Sequence, residues 1–233
     1  MPANDDILHI AGGDGALFHA INSPVYRGQA VILSPRGRGN ALARDLRRRS
    51  KPGEFAAIDM LEAHIRPASG DEFVRLCASS VAFGYPSRVT SKAERLRLLR
   101  RLSYAAAGLL TVPRPVDLEI SYDGAPAPPR RLRGILVNNT RHVGGFTAIR
   151  EARIDDGLAD VLELDADYLS QTLHNLSEVT GLGLWRPARH VQFRTAEIRV
   201  AEPSLLMLDG ELVEAVLAVS LTVRAQLLRI SLA

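Results

Sequence analysis

The first fifty residues carry one arrangement twice, a short apolar run followed by a glycine turn and the start of a helix. Ile7 to Ala11 leads into Gly12-Gly13-Asp14-Gly15 and a helix from Ala16 to Asn22. Ala30 to Leu33 leads through Ser34-Pro35-Arg36-Gly37-Arg38-Gly39 into a helix that Asn40 would cap. Two such units in succession predict neighbouring parallel strands with both glycine turns at one sheet edge, the edge at which open α/β sheets bind ligands. A glycine turn ahead of a helix aims backbone N–H groups at an anion, and the helix dipole adds to the attraction. Asp14 inside such a turn would repel a phosphate unless a divalent cation lay between them, so it points to Mg²⁺ held through water. The ordinary P-loop is excluded because no Gly-Lys-Ser/Thr occurs, and the first turn lacks the Gly-x-Gly-x-x-Gly of dinucleotide binders.

From Phe55 the pattern becomes runs of β-branched and apolar residues. Strands are predicted around Phe73–Val81, Val116–Tyr122, Leu132–Asn138, Ala159–Leu164, Val191–Thr195, Leu205–Leu208 and Val216–Val223. Asp123-Gly124, Asp156-Gly157 and Asp209-Gly210 supply turns for an antiparallel sheet. Two helices interrupt it, Ser91 to about Gly108 and Asp167 to about Leu176, and the proline-rich stretch Ala125 to Arg131 reads as a stiff connection. The first of these helices interleaves Arg95, Arg97, Arg100 and Arg101 with leucines. That suits contact with an anionic membrane as well as a plain solvated face on the sheet.

Composition narrows the partners. The net charge is +3, and lysine occurs only at Lys51 and Lys92, so the cations are nearly all arginine, whose planar fork fits phosphate and carboxylate. Aromatics make up only 5%, too few for a stacking platform, and the arginines are dispersed, so nucleic acid is not an expected partner. Met1 to Asp6 is polar and acidic where a signal peptide needs cations, and no apolar run is long enough to cross a bilayer, so the chain reads as a soluble cytoplasmic protein. The single Cys77 reads as a buried hydrophobe rather than a nucleophile.

Taken together these segments resemble the diacylglycerol kinase catalytic domain shared by bacterial lipid kinases, sphingosine kinases and, more distantly, NAD kinases. Gly12-Gly13-Asp14-Gly15 is similar to the family's GGDGT loop, and Pro35 to Arg44 to its P-x-G-T-x-N-D-x-A-R segment. Ile58-Asp59, Ala82-Phe83-Gly84-Tyr85, Val137-Asn138-Asn139 with Gly144-Gly145, Ile154-Asp155-Asp156-Gly157-Leu158 continued at Asp160, and Leu208-Asp209-Gly210-Glu211 resemble further family signatures in order. The resemblance implies an α/β plus all-β protein: a small nucleotide lobe over residues 1–52, joined by a C-terminal strand at about 217–233, and a larger antiparallel β-sandwich lipid lobe over 53–216. It implies transfer of the γ-phosphoryl of ATP to a lipid hydroxyl of the diacylglycerol or sphingoid type. Asp209 and Glu211 would supply the base. Gly12, Gly13, Asp14, Gly15, Ala16, Gly37, Arg38, Gly39 and Asn40 would line the ATP phosphates. Asp14 and Asp59 would join the Mg²⁺-water network, and Arg153, Asp156 and Leu158 would hold a second, structural Mg²⁺.

Taken without the resemblance, Asp209-Gly210 and Asp155-Asp156-Gly157 are plain turns, Asp59 faces solvent from a strand, and Trp185 is a packing anchor. His142, His174 and His190 lack metal-ligand spacing and read as surface or satisfied polar residues. Departures fall on the phosphate side: Ala16 and Arg38 replace threonines, and Ala41 stands where the family has aspartate, with Asp45 one helical turn on as a substitute. Relatives carry further β-α units ahead of the glycine strand, so the shortened sheet edge favours association into a homodimer. A second reading is therefore a degenerate member that binds lipid or nucleotide without transfer. An NAD kinase fits less well, since the D-G-E turn is foreign to it.

Overall fold

The computed structural model describes residues 7–37, 39–96, 98, 103–143, 146–165 and 188–233. Arg38, Gly144, Gly145, His174, Trp185 and the helix expected from Asp167 lie outside the described residues.

The chain opens with β1 (Ile7–Gly12), α1 (Asp14–Ile21), β2 (Ala30–Pro35) and α2 (Ala41–Arg49), and β1 runs parallel to β2 in the register Ile7 to Ala30. Beyond them follow β3 (Ala56–Pro67), β4 (Phe73–Cys77), β5 (Ser80–Gly84), α3 (Tyr85–Arg95), α4 (Ser103–Leu110), β6 (Val116–Tyr122), β7 (Arg130–Leu132) and β8 (Gly134–Asn138). A small β9–β10 ribbon (His142–Val143, Phe146–Thr147) precedes β11 (Ala159–Leu164), β12 (Ala188–Phe193), β13 (Thr195–Leu208) and β14 (Glu211–Leu232). The main sheet runs β1-β2-β14-β13-β5-β8-β11-β12, with β3, β4, β6 and β7 branching from β13 and β14. Among the described residues β1 is one edge strand, paired only with β2, and β12 is the other end of this order.

The last strand joins the two lobes. Glu211 to Thr222 pairs antiparallel with β13 and Val216 to Ile230 antiparallel with β3, while Ile230 to Leu232 lies parallel to β2. A register shift between Arg224 and Leu228 marks the passage, with Gln226 at φ +50. The extra residues bend the strand as it passes from its antiparallel partners toward its parallel pairing with β2 within one continuous sheet. Two cores result. Val31, Leu33, Leu42, Leu46, Ile58 and Ile230 pack the α/β lobe, and Phe83, Leu118, Ile120, Phe193, Ile198 and Leu206 are among those that pack the sandwich. In β13 the alternation is plain, with Ala196, Ile198 and Val200 buried between exposed Thr195, Glu197 and Arg199. Pro203 lies at the β13 irregularity, where a missing N–H costs no ladder bond.

Several expected elements shift. The strand expected over Phe73–Val81 is two strands that pair with different partners, and the helix expected from Ser91 begins at Tyr85 and is followed by a second helix from Ser103. Gly84 at φ +75 ends β5, and Pro86 in the first turn of α3 starts the helix early.

Candidate active site at the lobe junction

The two glycine turns meet each other. A Cβ on Gly13 would lie 2.8 Å from the Gly37 Cα, and one on Gly37 would lie 2.5 Å from the Gly13 Cα and 2.6 Å from Asn40 Oδ1. Glycine is needed here for loop-to-loop approach. Asn40 takes the left-handed conformation, φ 48, and closes its own loop: Gly37 N donates to Oδ1 at 2.9 Å and Nδ2 donates to Gly37 O at 2.8 Å. Its side chain does not cap α2, as the sequence reading had it. Asp14 does so from the neighbouring loop. Its Oδ2 accepts from Ala41 N at 2.9 Å and its Oδ1 from Leu42 N at 3.2 Å, placing a carboxylate on the positive end of the helix. Burial pushes the Asp14 carboxyl up, against the two N–H bonds and the Arg44 charge. Substituting Gly37 by alanine should force the two loops apart at a cost of about 1–3 kcal/mol, read as a lowered Tm in a thermal melt; an unchanged Tm would refute this packing role.

The other wall comes from the β13–β14 hairpin. Asp209 at φ +49 and Gly210 at φ +96 make a two-residue turn of the primed type, with Leu208 opposite Glu211. The Asp209 carboxylate points into the protein and accepts from Ala78 N at 2.7 Å on Oδ2, and from Ser79 N and Ser80 N at 2.8 Å on Oδ1. These bonds bend the chain between β4 and β5, so a residue 130 positions away divides the strand that the sequence made continuous. Burial pushes the Asp209 carboxyl up to about 7, the three N–H bonds opposing it and the Asp14 charge reinforcing it. Glu211 is half-buried, 3.4 Å from His19 Nε2, and a Cβ on Gly15 would meet its Oε1 at 2.9 Å.

A cleft of about 220 Å³ lies between these walls, and Gly13, Asp14, Gly15, Gly37, Gly39, Asp209 and Glu211 all line it. Gly12, Ala16 and Asn40 support the loops without lining it. Sequence reasoning missed Ser79, Ser80, Thr90, Glu94, Tyr104 and Met207, which carry no motif and reach the cleft only through folding. The described lining holds four carboxyl groups, Asp14, Glu94, Asp209 and Glu211. Among the described residues no three His, Cys, Asp or Glu side chains cluster closely enough to cage a metal. Mg²⁺ fits this setting, since it keeps several waters and takes one or two carboxylates plus substrate phosphates.

Other expected site residues lie elsewhere. Asp59, read as solvent-facing on pattern alone, is fully buried; its Oδ2 accepts from Gly157 N at 2.6 Å and its Oδ1 from Gln226 N at 2.7 Å, outside the cleft lining. Asp45 does not replace the missing aspartate, because its carboxylate is held by Arg141 N at 2.6 Å and His142 Nδ1 at 2.9 Å. Arg153, Asp156 and Leu158 also stand away from the cleft, in a turn where Leu158 N donates to Asp156 Oδ1 at 3.1 Å. Cys77 is buried as expected, and burial first, with Asp209 second, pushes its thiol well up. His142 and His190 each pair with a buried aspartate, Asp45 and Asp160.

Comparison with known proteins agrees with this architecture. A family model described as the YegS C-terminal NAD kinase beta sandwich-like domain matches residues 79–232. The chain is 30% identical over 213 residues to the "Probable lipid kinase YegS-like" of Pseudomonas fluorescens (strain Pf0-1), covering 87% of this chain and 68% of that protein. A diacylglycerol kinase from Bacillus anthracis superposes with a TM-score of 0.70 at 18% identity, over 97% of this chain and 77% of the other. Yeast NADH kinase complexed with NADH superposes at 0.55 with 14% identity, over 97% and 61%. The two structural likenesses establish the fold.

Proposed function

The chain belongs to the YegS C-terminal NAD kinase beta sandwich-like domain family, and on that footing we propose that it transfers the γ-phosphoryl of Mg·ATP to the hydroxyl of a diacylglycerol- or sphingoid-type lipid. The reading rests on one observation, the cleft in which Asp14 from the α/β lobe shares walls with Asp209 and Glu211 from the sandwich. In this reading the glycine turns around Gly13 and Gly37 face the phosphates, and Asp14 helps to hold the hydrated cation. When bound, Mg²⁺ neutralises phosphate charge and so lets an anionic substrate enter an acidic cleft. Asp209 accepts the proton of the lipid hydroxyl on Oδ2, which makes one backbone bond where Oδ1 makes two. Glu211 orients the acceptor. The turn at Arg153, Asp156 and Leu158 is the proposed place of a second, structural Mg²⁺. No helix among the described residues is long and apolar enough to cross a membrane.

Label from [γ-³²P]ATP should pass to diacylglycerol or a sphingoid base presented in mixed micelles. The rate should carry the signature of its base. Because Asp209 is active only when ionised and sits near 7, kcat/KM should climb with pH through about 7 and level off above it; a profile flat from about 5 to 8 would discard Asp209 as the base. A second reading has its own support, since Asp14 already occupies the first N–H groups of α2, where a phosphate would otherwise bind. A binding-only protein would take up lipid or nucleotide in the same assay and yield no labelled product.

A further inference from the structure

We infer that His19 is a positioning residue, which seats Glu211 of the sandwich lobe against helix α1 of the nucleotide lobe and so fixes the acceptor side of the cleft relative to the glycine turn. Its part in transfer rests on the lipid-kinase reading, whereas the seating itself does not.

Helix α1 carries two faces. Leu17 and Ile21, with Ala16 and Ala20 beside them, pack into the α/β core. Gly15, Phe18, His19 and Asn22 recur at the i, i+3, i+4, i+7 spacing of a single helical stripe, and each of them meets the sandwich. Phe18 is buried within the sandwich core. Asn22 holds the outer side of β4 as a neighbouring strand would, its Nδ2 donating to Leu76 O and its Oδ1 accepting from Leu76 N, both at 2.8 Å. Gly15 and His19, one turn apart, flank Glu211. A Cβ on Gly15 would come within 2.9 Å of Oε1, and His19 Nε2 lies 3.4 Å from the same oxygen.

The side chain of His19 is 68% exposed, so packing alone gives it little reason to face Glu211. The Phe18 ring meets the imidazole edge-on at 5.7 Å and restrains its plane. An N–H at Nε2, present in the imidazolium and in one neutral tautomer, can donate to Oε1. Holding one oxygen keeps the other for the acceptor hydroxyl and removes rotamers that would carry the carboxylate out of line. The first turn of the same helix carries Asp14, which caps α2 and lines the cleft. One rigid element, anchored through Phe18 and Asn22, therefore sets the spacing between the carboxylate of the glycine turn and the carboxylate that orients the acceptor.

Label transfer from [γ-³²P]ATP to micellar diacylglycerol or sphingoid base by the full chain, read beside its imidazole signals in the proton NMR spectrum, tests the proposal. His19→Leu should lower kcat/KM for the lipid about tenfold, the worth of one hydrogen bond to a charged group, with the KM for Mg·ATP and Tm as in the parent. His19→Gln, which keeps an N–H donor near the place of Nε2, should recover most of that loss. The double variant His19→Leu/Glu211→Gln should fall no lower than Glu211→Gln alone, since the two residues act as one unit. The ring signal that His19→Leu removes should move in Glu211→Gln while the other histidine signals stay in place. Parental kinetics in His19→Leu, a His19→Gln variant as slow as His19→Leu, additive losses in the double variant, or a His19 signal indifferent to Glu211→Gln would each overturn the proposal. A parent that labels neither lipid while its His19 signal still follows Glu211 would sink the lipid-kinase reading alone and leave the seating in place.

Discussion

Asp209→Asn should lower kcat by roughly 10²- to 10⁴-fold, the usual worth of a positioned base, and should lower stability at the same time. The amide has one oxygen, which can keep the bonds from Ser79 and Ser80; its NH₂ would then face the Ala78 N–H that now donates at 2.7 Å. A donor set against a buried donor costs about 1–3 kcal/mol, or several degrees of Tm in a chain this long. The two losses separate by pH. Asp209 binds a proton in the folded protein up to about 7 but in the unfolded chain only up to the ordinary aspartate value of 3.8, so its own contribution to stability is full below about 4 and fades as pH rises to about 7. The stability gap between parent and variant should therefore be wider at pH 5 than at pH 7. Denaturation at both values and steady-state kinetics measure the two effects; a variant that melts early yet transfers phosphoryl at the parental rate would leave Asp209 a purely structural brace. Glu211→Gln, altering a half-buried side chain at the mouth, should lower kcat with little change in Tm.

Asp59→Ala is the substitution expected to cost most stability. It would strip the acceptor from Gly157 N and Gln226 N in a fully buried site, roughly 2–6 kcal/mol and on the order of 10 °C in Tm. Those two groups belong to the 154–157 turn and to the bulge where β14 passes between the lobes, so Asp59 ties the turn to the crossing strand. Assayed well below its melting point, the variant should keep a parental KM for Mg·ATP. A KM raised tenfold or more with Tm unchanged would instead return Asp59 to the magnesium-water network that the family resemblance implies.

The parts of the site legible in the sequence were those whose chemistry is local. Strand, glycine turn and helix recur twice within the first fifty residues, and the Asp209-Gly210 dipeptide announces a primed turn, because a short backbone span with special dihedrals limits which residues can serve. The lining contributed by Ser79, Thr90, Glu94 and Tyr104 was not legible, since nothing in those residue types or their spacing marks them. Asp59 shows the same limit from the other side. Alternation with Ile58 and Met60 places it on one face of a strand, but whether that face meets water depends on the 154–157 turn and β14, which arrive about 100 and 170 residues later.

By itself, then, the sequence determined the period of each element, the turns that need glycine or left-handed aspartate, and the order of family signatures that identifies the fold. Only the tertiary structure decided which carboxylate does what. Asp14, Asp45, Asp59 and Asp209 are the same residue type, yet each takes backbone N–H groups from a different distant segment. A carboxylate's role is set by burial and by the donors around it, and those are properties of the packed chain.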